Sequence, residues 1–263
     1  MLKQGRVLIV AGSDSGGGAG IQADLKTVAA LGGFGMTAIT ALTAQNTLGV
    51  FGVHPVPPEF VIQQMRVVLD DIGADAIKFG MLGDAHVVHA VADFLETAGC
   101  GALPIVLDPV MISTSGSALL DAPGAIAVRQ RLLPKATVLT PNLSEAEALT
   151  GLKIGGLPEM EEAATRLLAA GARNVLLKGG HLEGDELVDL LVGQDGRVEF
   201  RHARVDTRNT HGTGCTLASA IAAGLARGLR LIDAVRQAHD YVQGAIRSAP
   251  GFGQGNGPLG SGL

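Results

Sequence analysis

Tryptophan is absent from the 263 residues, and cysteine occurs only twice, at Cys100 and Cys215. Two cysteines cannot build a disulfide framework, which fits a reducing compartment, so the chain is expected to be cytoplasmic. No run of lysine and arginine occurs, and the formal net charge is −5. A nucleic-acid partner needs a basic footprint, so none is expected. No segment approaches the ~20 consecutive apolar residues of a membrane helix. The apolar run near the start, Val7 to Ala11, is shorter than the ~7–15-residue core of a secretion signal. A membrane partner is not expected either.

Hydrophobic residues make up 47% and charged residues 17%, a balance that excludes a disordered chain. The 38 glycines point to an architecture of small residues and tight turns. No Pro/Ser-rich linker, composition break or internal repeat divides the chain, so residues 1–263 read as a single domain. The glycine-rich tail from Pro250 onward reads as a loop or frayed end.

Short apolar runs recur at Arg6–Ala11, Gly35–Leu42, Asp75–Phe79, Ile105–Asp108, Thr137–Thr140 and Asn174–Lys178. They are continuous rather than alternating, as strands covered on both faces are. Helical patterns lie between them, with one face marked by Val61, Met65, Val68, Leu69 and Ile72. Others are marked by Val87, Val88, Val91, Phe94 and Leu95, and by Ile232, Val235, Val242 and Ile246. This alternation predicts an α/β fold, a mostly parallel central sheet with helices on both faces. Leu187–Val192 and Arg197–Phe200, joined by Gln194-Asp195-Gly196, predict a small edge hairpin.

Four polar motifs follow strands, where ligands of such sheets bind. Gly12 to Gly20 is a glycine-rich strand–helix turn whose amides could approach an anion. It fits a loose dinucleotide pattern from Gly18, but no acid occurs between Asp24 and Glu59 to take a ribose. An NAD-dependent oxidoreductase is therefore disfavoured. Thr210-His211-Gly212-Thr213-Gly214-Cys215-Thr216 precedes a small-residue helix, so several amides could converge on one anion. A thiol in that first turn should have its pKa lowered from ~8.5 into the range 3.5–7.5. In Thr140-Pro141-Asn142-Leu143-Ser144-Glu145-Ala146-Glu147, Ser144 and Glu147 fit a capping box. Asn142 and Glu145 are left over, and an amide beside a carboxylate there suits magnesium and phosphate. Lys178, opening Lys178-Gly179-Gly180-His181, can meet a phosphate as a point charge. Asp108, also at a strand end, could be a second acid near the metal, or a turn residue. His86, His89, His202 and His239 read as structural or surface residues without metal-ligand spacing.

These motifs, in this order, resemble the ribokinase-like superfamily and, within its vitamin-kinase branch, the bacterial hydroxymethylpyrimidine/phosphomethylpyrimidine kinases. The resemblance is carried by Ala11–Thr27, Ile39–Thr47, Lys78–Leu82, Leu107–Met111, Thr140–Leu149, Leu177–His181 and Asn209–Gly228, nearly the whole chain. It implies a three-layer α/β/α fold and two ATP-dependent phosphorylations of 4-amino-5-hydroxymethyl-2-methylpyrimidine, to the monophosphate and then the diphosphate. It implies that Ala19, Asp24, Gln45, Met81 and Val110 hold the pyrimidine, and that Gly212, Thr213, Gly214 and Cys215 form the catalytic anion hole. Asn142, Lys178, Thr213 and Gly214 would meet the nucleotide phosphates, and Glu145 with Asp108 would hold Mg2+. Cys215 stands where sugar kinases of the superfamily carry a catalytic aspartate. The expected partner is a small-molecule substrate, with a homodimer as the expected assembly. Pyridoxal kinases share the resemblance less closely, and a non-catalytic ligand-binding regulator is the remaining alternative. One departure lies at the end, where Gly257-Pro258 is not followed by the histidine common in the family.

Overall fold

The computed structural model describes residues 4–112, 116, 118–180, 186–194 and 196–260. Along the chain run β1 (Arg6–Asp14), α1 (Gly20–Ala30), β2 (Phe34–Asn46), β3 (Gly49–Pro55), α2 (Pro58–Asp71), β4 (Ala76–Phe79) and α3 (Ala85–Thr97). They are followed by β5 (Ile105–Leu107), α4 (Ala122–Ala127), β6 (Val138–Leu139), α5 (Leu143–Thr150), α6 (Leu157–Ala169) and β7 (Asn174–Leu177). The chain closes with β8 (Glu186–Gly193), β9 (Gly196–Ala203), α7 (Thr213–Ala226) and α8 (Leu231–Arg247).

The continuous apolar runs became strands because both of their faces are covered. In β1, Leu8 and Val10 join a core with Met65 of α2, Val91 of α3 and Ala163 of α6. Val7, Ile9 and Ala11 point the other way, onto Val28 of α1, Ile221 of α7 and Val235 of α8. The strand period of two thus feeds two separate cores, one on each side of the sheet. The result is the expected three-layer α/β/α arrangement.

All nine strands belong to one sheet in the order β3-β2-β1-β4-β5-β6-β7-β8-β9. Pairing is parallel from β2 through β7. It is antiparallel for β2–β3, β7–β8 and β8–β9. Chain order reverses at β1, whose neighbours are β2 and β4, and ligands of such sheets bind beyond the carboxyl ends at that switch point. Sequence reading found the β8–β9 hairpin but missed β3. That strand is exposed along most of its length, so no buried apolar run marks it.

Of the two readings of the tail, loop and frayed end, the loop holds. It is not frayed through residue 260. Asn256 N–H donates to Thr47 O (3.1 Å), His211 N–H to Gly257 O (3.1 Å) and Gly260 N–H to Ala245 O (2.8 Å). Glycine permits this contact: a Cβ on Gly255 would lie 2.0 Å from Thr47 O. The tail straps the β2–β3 turn to the start of the α7 motif.

Candidate active site

The site is assembled at two helix starts. Asp14, at the end of β1, shapes the first. Its carboxylate accepts N–H bonds from Gly16 (2.8 Å), Gly18 (3.0 Å) and Ala19 (2.8 Å), and lies 2.8 Å from His211 Nε2. Burial works against the Asp14 charge, but the His211 and backbone hydrogen bonds outweigh it and hold the carboxyl below its ordinary range. The loop is braced against β2, where the Ser15 hydroxyl donates to Gln45 O and accepts from Gln45 N–H.

The second start is that of α7. Gly212 caps it with φ 85°, and a Cβ there would meet Gly18 O at 1.9 Å. Only glycine lets the two loops close on each other in this way. Thr213 N–H is taken by Thr210 O at 3.3 Å. Gly214 and Cys215 follow in the first turn, whose amides have no intrahelical acceptor. A Cβ on Gly214 would sit 3.2 Å from Lys178 Nζ and 3.7 Å from Asp108 Oδ2. The ends of β5 and β7 therefore present a carboxylate and an ammonium to this helix start.

Asp108 is almost fully buried, and its Oδ1 accepts from Lys178 Nζ and from the Thr140 hydroxyl, both at 3.0 Å. Burial opposes the Lys178 charge, yet the fields of Asp108 and Glu145 push its pKa up. Asn142 and Glu145 carry a correction. They, and not Ser144 with Glu147, form the capping box of α5. Asn142 Oδ1 accepts Glu145 N–H (2.9 Å), and Glu145 Oε2 accepts Asn142 N–H (2.8 Å). Glu147 instead accepts from Ile154 N–H and Lys153. The Glu145 carboxyl, being buried and near Asp108, has its pKa raised to about 7 despite Lys178. The Asp108 and Glu145 carboxyls repel each other, they offer oxygen donors only, and a hard divalent cation would relieve that repulsion, so this donor set fits magnesium.

Cys215 carries a second correction. Its thiol is not acidified. Burial pushes its pKa up to about 11; Lys78 pulls it down, Asp24 and Asp108 push it up, and a hydrogen bond from Gly20 N–H lowers it slightly. Desolvation, together with Asp24 and Asp108, outweighs the pull of Lys78 and the Gly20 N–H. Lys78 is a residue whose part sequence reasoning missed. It is fully buried, and its Nζ bonds Asp24 Oδ2 at 2.8 Å. Burial opposes its charge, but its negative neighbours, above all Asp24, keep it protonated. A lysine inside a buried strand was the available signal, since buried lysines are almost always paired.

Of the five residues expected around the ring, Met81 adjoins the end of β1 and Gln45 the loop that follows it. A Cβ on Gly12 would lie 2.3 Å from Met81 Cε, and one on Gly16 would lie 3.2 Å from Gln45 O. Ala19 is the residue before α1, and Val110 follows Asp108, half-buried. Asp24 lies instead fully buried, with Lys78 on one carboxylate oxygen and Ser219 Oγ (2.7 Å) on the other. Gln45 Nε2 is 3.3 Å from His211 Nε2, so Asp14 and His211 stand behind it, a relation that their separation in sequence concealed. His181 lies outside the described residues.

Comparison with known proteins agrees with this geometry. The family model described as phosphomethylpyrimidine kinase matches residues 14–260. A hydroxymethylpyrimidine/phosphomethylpyrimidine kinase of Streptomyces coelicolor is 53% identical over 253 residues, 96% of this chain and 93% of the relative. The phosphomethylpyrimidine kinase of Clostridium difficile superposes with a TM-score of 0.82 at 40% identity, over 93% of this chain and 100% of that one. The pyridoxal kinase of Staphylococcus aureus, in complex with AMP-PCP and pyridoxal, superposes with a TM-score of 0.90 at 36% identity, over 99% and 94%.

Proposed function

The chain belongs to the phosphomethylpyrimidine kinase family and is a phosphotransferase, and from that premise we propose that it phosphorylates hydroxymethylpyrimidine and then its monophosphate at the expense of ATP. The observation that carries this reading is the meeting of Lys178, Asp108 and the Gly214–Cys215 helix start at one point. Phosphoryl transfer needs positioning and charge stabilisation more than covalent chemistry. The substrate hydroxyl attacks the γ-phosphorus in line, a new P–O bond forms, and the bond to the ADP oxygen breaks. Amides of Gly214 and Cys215 face the charge on the transferred group, with the α7 dipole behind them. Lys178 adds positive charge from the side of β7.

Glu145 and Asp108, acting through water, would hold Mg2+, which when bound supplies positive charge to the nucleotide phosphates. Asn142 meets the nucleotide through its place at the start of α5. Ala19, Gln45, Met81 and Val110 line the ring side, with Asp24 and Lys78 fixing the floor beneath Cys215. Cys215, once its thiol has given its proton to solvent water, takes the hydroxyl proton late in the transfer. The cytoplasmic location and the homodimer belong to the same reading; exposed Leu42, Phe51 and Val53 on β2–β3 support self-association, and the mass in solution tests it.

A second reading, phosphorylation of a pyridoxine-type alcohol at the same site, is favoured by the TM-score of 0.90 to pyridoxal kinase. Mass spectrometry of products separates the two. Incubation with ATP, magnesium and the pyrimidine alcohol is expected to yield the monophosphate and then the diphosphate. Product from pyridoxine alone would overturn the substrate assignment and leave the kinase standing.

A further inference from the structure

On the other side of the sheet edge, β8, β9 and α8 bring together a second set of side chains. In the antiparallel register Asp189 stands opposite Phe200, and Leu187 opposite His202. The strand period of two puts Asp189, Phe200 and His202 on one face of the hairpin. His239 of α8 packs on that face. Its ring stacks on Phe200 with centroids 5.1 Å apart, and lies 5.0 Å from the His202 ring.

Asp189 Oδ1 accepts Gly179 N–H at 2.8 Å, which orients the carboxylate. Its Oδ2 lies 3.6 Å from His239 Nε2, too far for a hydrogen bond. His239 is only 9% exposed, and its Nε2 is buried without a hydrogen-bond partner among the described residues. An unpaired buried polar atom costs ~1–3 kcal/mol, so the gap calls for an occupant. One ligand atom from each of Asp189, His202 and His239 lies within 4.8 Å of the other two. The three are far apart in sequence, which is why no metal-ligand spacing was visible there.

We propose that Asp189, His202 and His239 form a binding site for a zinc-type divalent cation, with water completing the shell. Zinc bonds of about 2.0–2.2 Å in a tetrahedron put neighbouring ligand atoms about 3.3–3.5 Å apart. The 3.6 Å between Asp189 and His239 already meets this spacing. His202, half-buried on the edge strand, reaches it with a shift of about 1 Å. Two imidazoles and one carboxylate select zinc, cobalt or nickel over magnesium, which takes oxygen ligands. The Gly179 N–H on Asp189 is the outer partner that such ligands ordinarily have. A cation here would tie the β8–β9 hairpin to α8, and through Asp189 it would adjoin Gly179, the residue after Lys178.

The test is titration of the full chain, stripped with chelator, with Co2+ and then Zn2+. One equivalent of Co2+ is expected to bind with visible absorption of a nitrogen- and oxygen-ligated site, and Zn2+ to displace it. His202→Ala removes a partly exposed side chain and is expected to weaken Zn2+ binding at least ~10-fold, with the metal-free melting temperature near that of the parent. His202→Gln should weaken it likewise. Cys215→Ala should leave uptake unchanged. The proposal is overturned by absence of saturable uptake, by equal affinity in His202→Ala, or by a sulfur-to-cobalt band that disappears in Cys215→Ala.

Discussion

A thiol at the third position of a helix is ordinarily acidified by free amides and by the macrodipole. At Cys215 burial reverses the outcome, and the pKa of about 11 leaves the group protonated at neutral pH. If thiolate is the base, kcat should rise about tenfold per pH unit from about pH 7 to about pH 10. In Cys215→Ala that rise should vanish and kcat should fall ~10²–10⁴-fold, with KM for both substrates little changed. Steady-state kinetics across pH read both effects, and a flat parent profile would reduce Cys215 to a packing residue. Gln45 is the corresponding specificity test. Its amide can pair with a ring nitrogen and adjacent amino group, and bidentate pairs of this kind discriminate by about 1–3 kcal/mol. Gln45→Leu is therefore expected to cost pyrimidine kcat/KM roughly 5–150-fold, pyridoxine much less, and ATP affinity almost nothing. Equal losses for the two alcohols would mean that Gln45 shapes the pocket without reading the ring.

Helix α5 joins a structural duty to a chemical one. Its capping box uses Asn142 and Glu145, and Asn142→Ala should cost about 0.5–2 kcal/mol in denaturant unfolding. Glu145→Gln keeps an acceptor oxygen for Asn142 N–H and so separates the two duties. It is expected to raise the Mg2+ requirement and slow turnover while leaving the helix start intact. An unchanged Mg2+ dependence would confine Glu145 to capping. The same variant has a signature in pH. The native Glu145 pKa of about 7 lies above the ordinary 4.5, so between those values the folded state binds more protons than the unfolded state. The contribution to stability is full below about pH 4.5 and is lost as pH rises through about 7. Unfolding measured across that window should show a flatter profile in Glu145→Gln.

The tail connects distant parts of the molecule. Asn256 holds the β2–β3 turn at Thr47, and Gly257 holds His211, which lies beside Gln45 and Asp14. Removal of residues 252–263 deletes these contacts and the Gly260–Ala245 bond, each worth ~0.5–1.5 kcal/mol. It is expected to lower the melting temperature and to cost pyrimidine kcat/KM about tenfold, with a smaller change in KM for ATP. Equal effects on both substrates would mean that the tail acts on stability alone. The buried Lys78–Asp24 pair links β4 to α1 in the same way, and breaking one partner of such a pair costs ~3–5 kcal/mol.

Local pattern was enough wherever one stretch of chain decides its own environment. The apolar runs of β1 and β7 are buried on both faces, so their composition alone marked them as inner strands. Gly212 and Gly214 announced a helix start open to anions because backbone geometry is local. Pairing across the fold was different. The sequence pattern put the capping box at Ser144 and Glu147, and it forms at Asn142 and Glu145 instead, because the end of β6 sets where α5 begins. The Cys215 thiol depended on burial and on Lys78, Asp24 and Asp108, which come from three other parts of the chain. Asp189, His202 and His239 meet only because an edge hairpin folds onto α8. Desolvation and charge act through space, so the protonation of Cys215 and the meeting of those three ligands were decided by the tertiary structure.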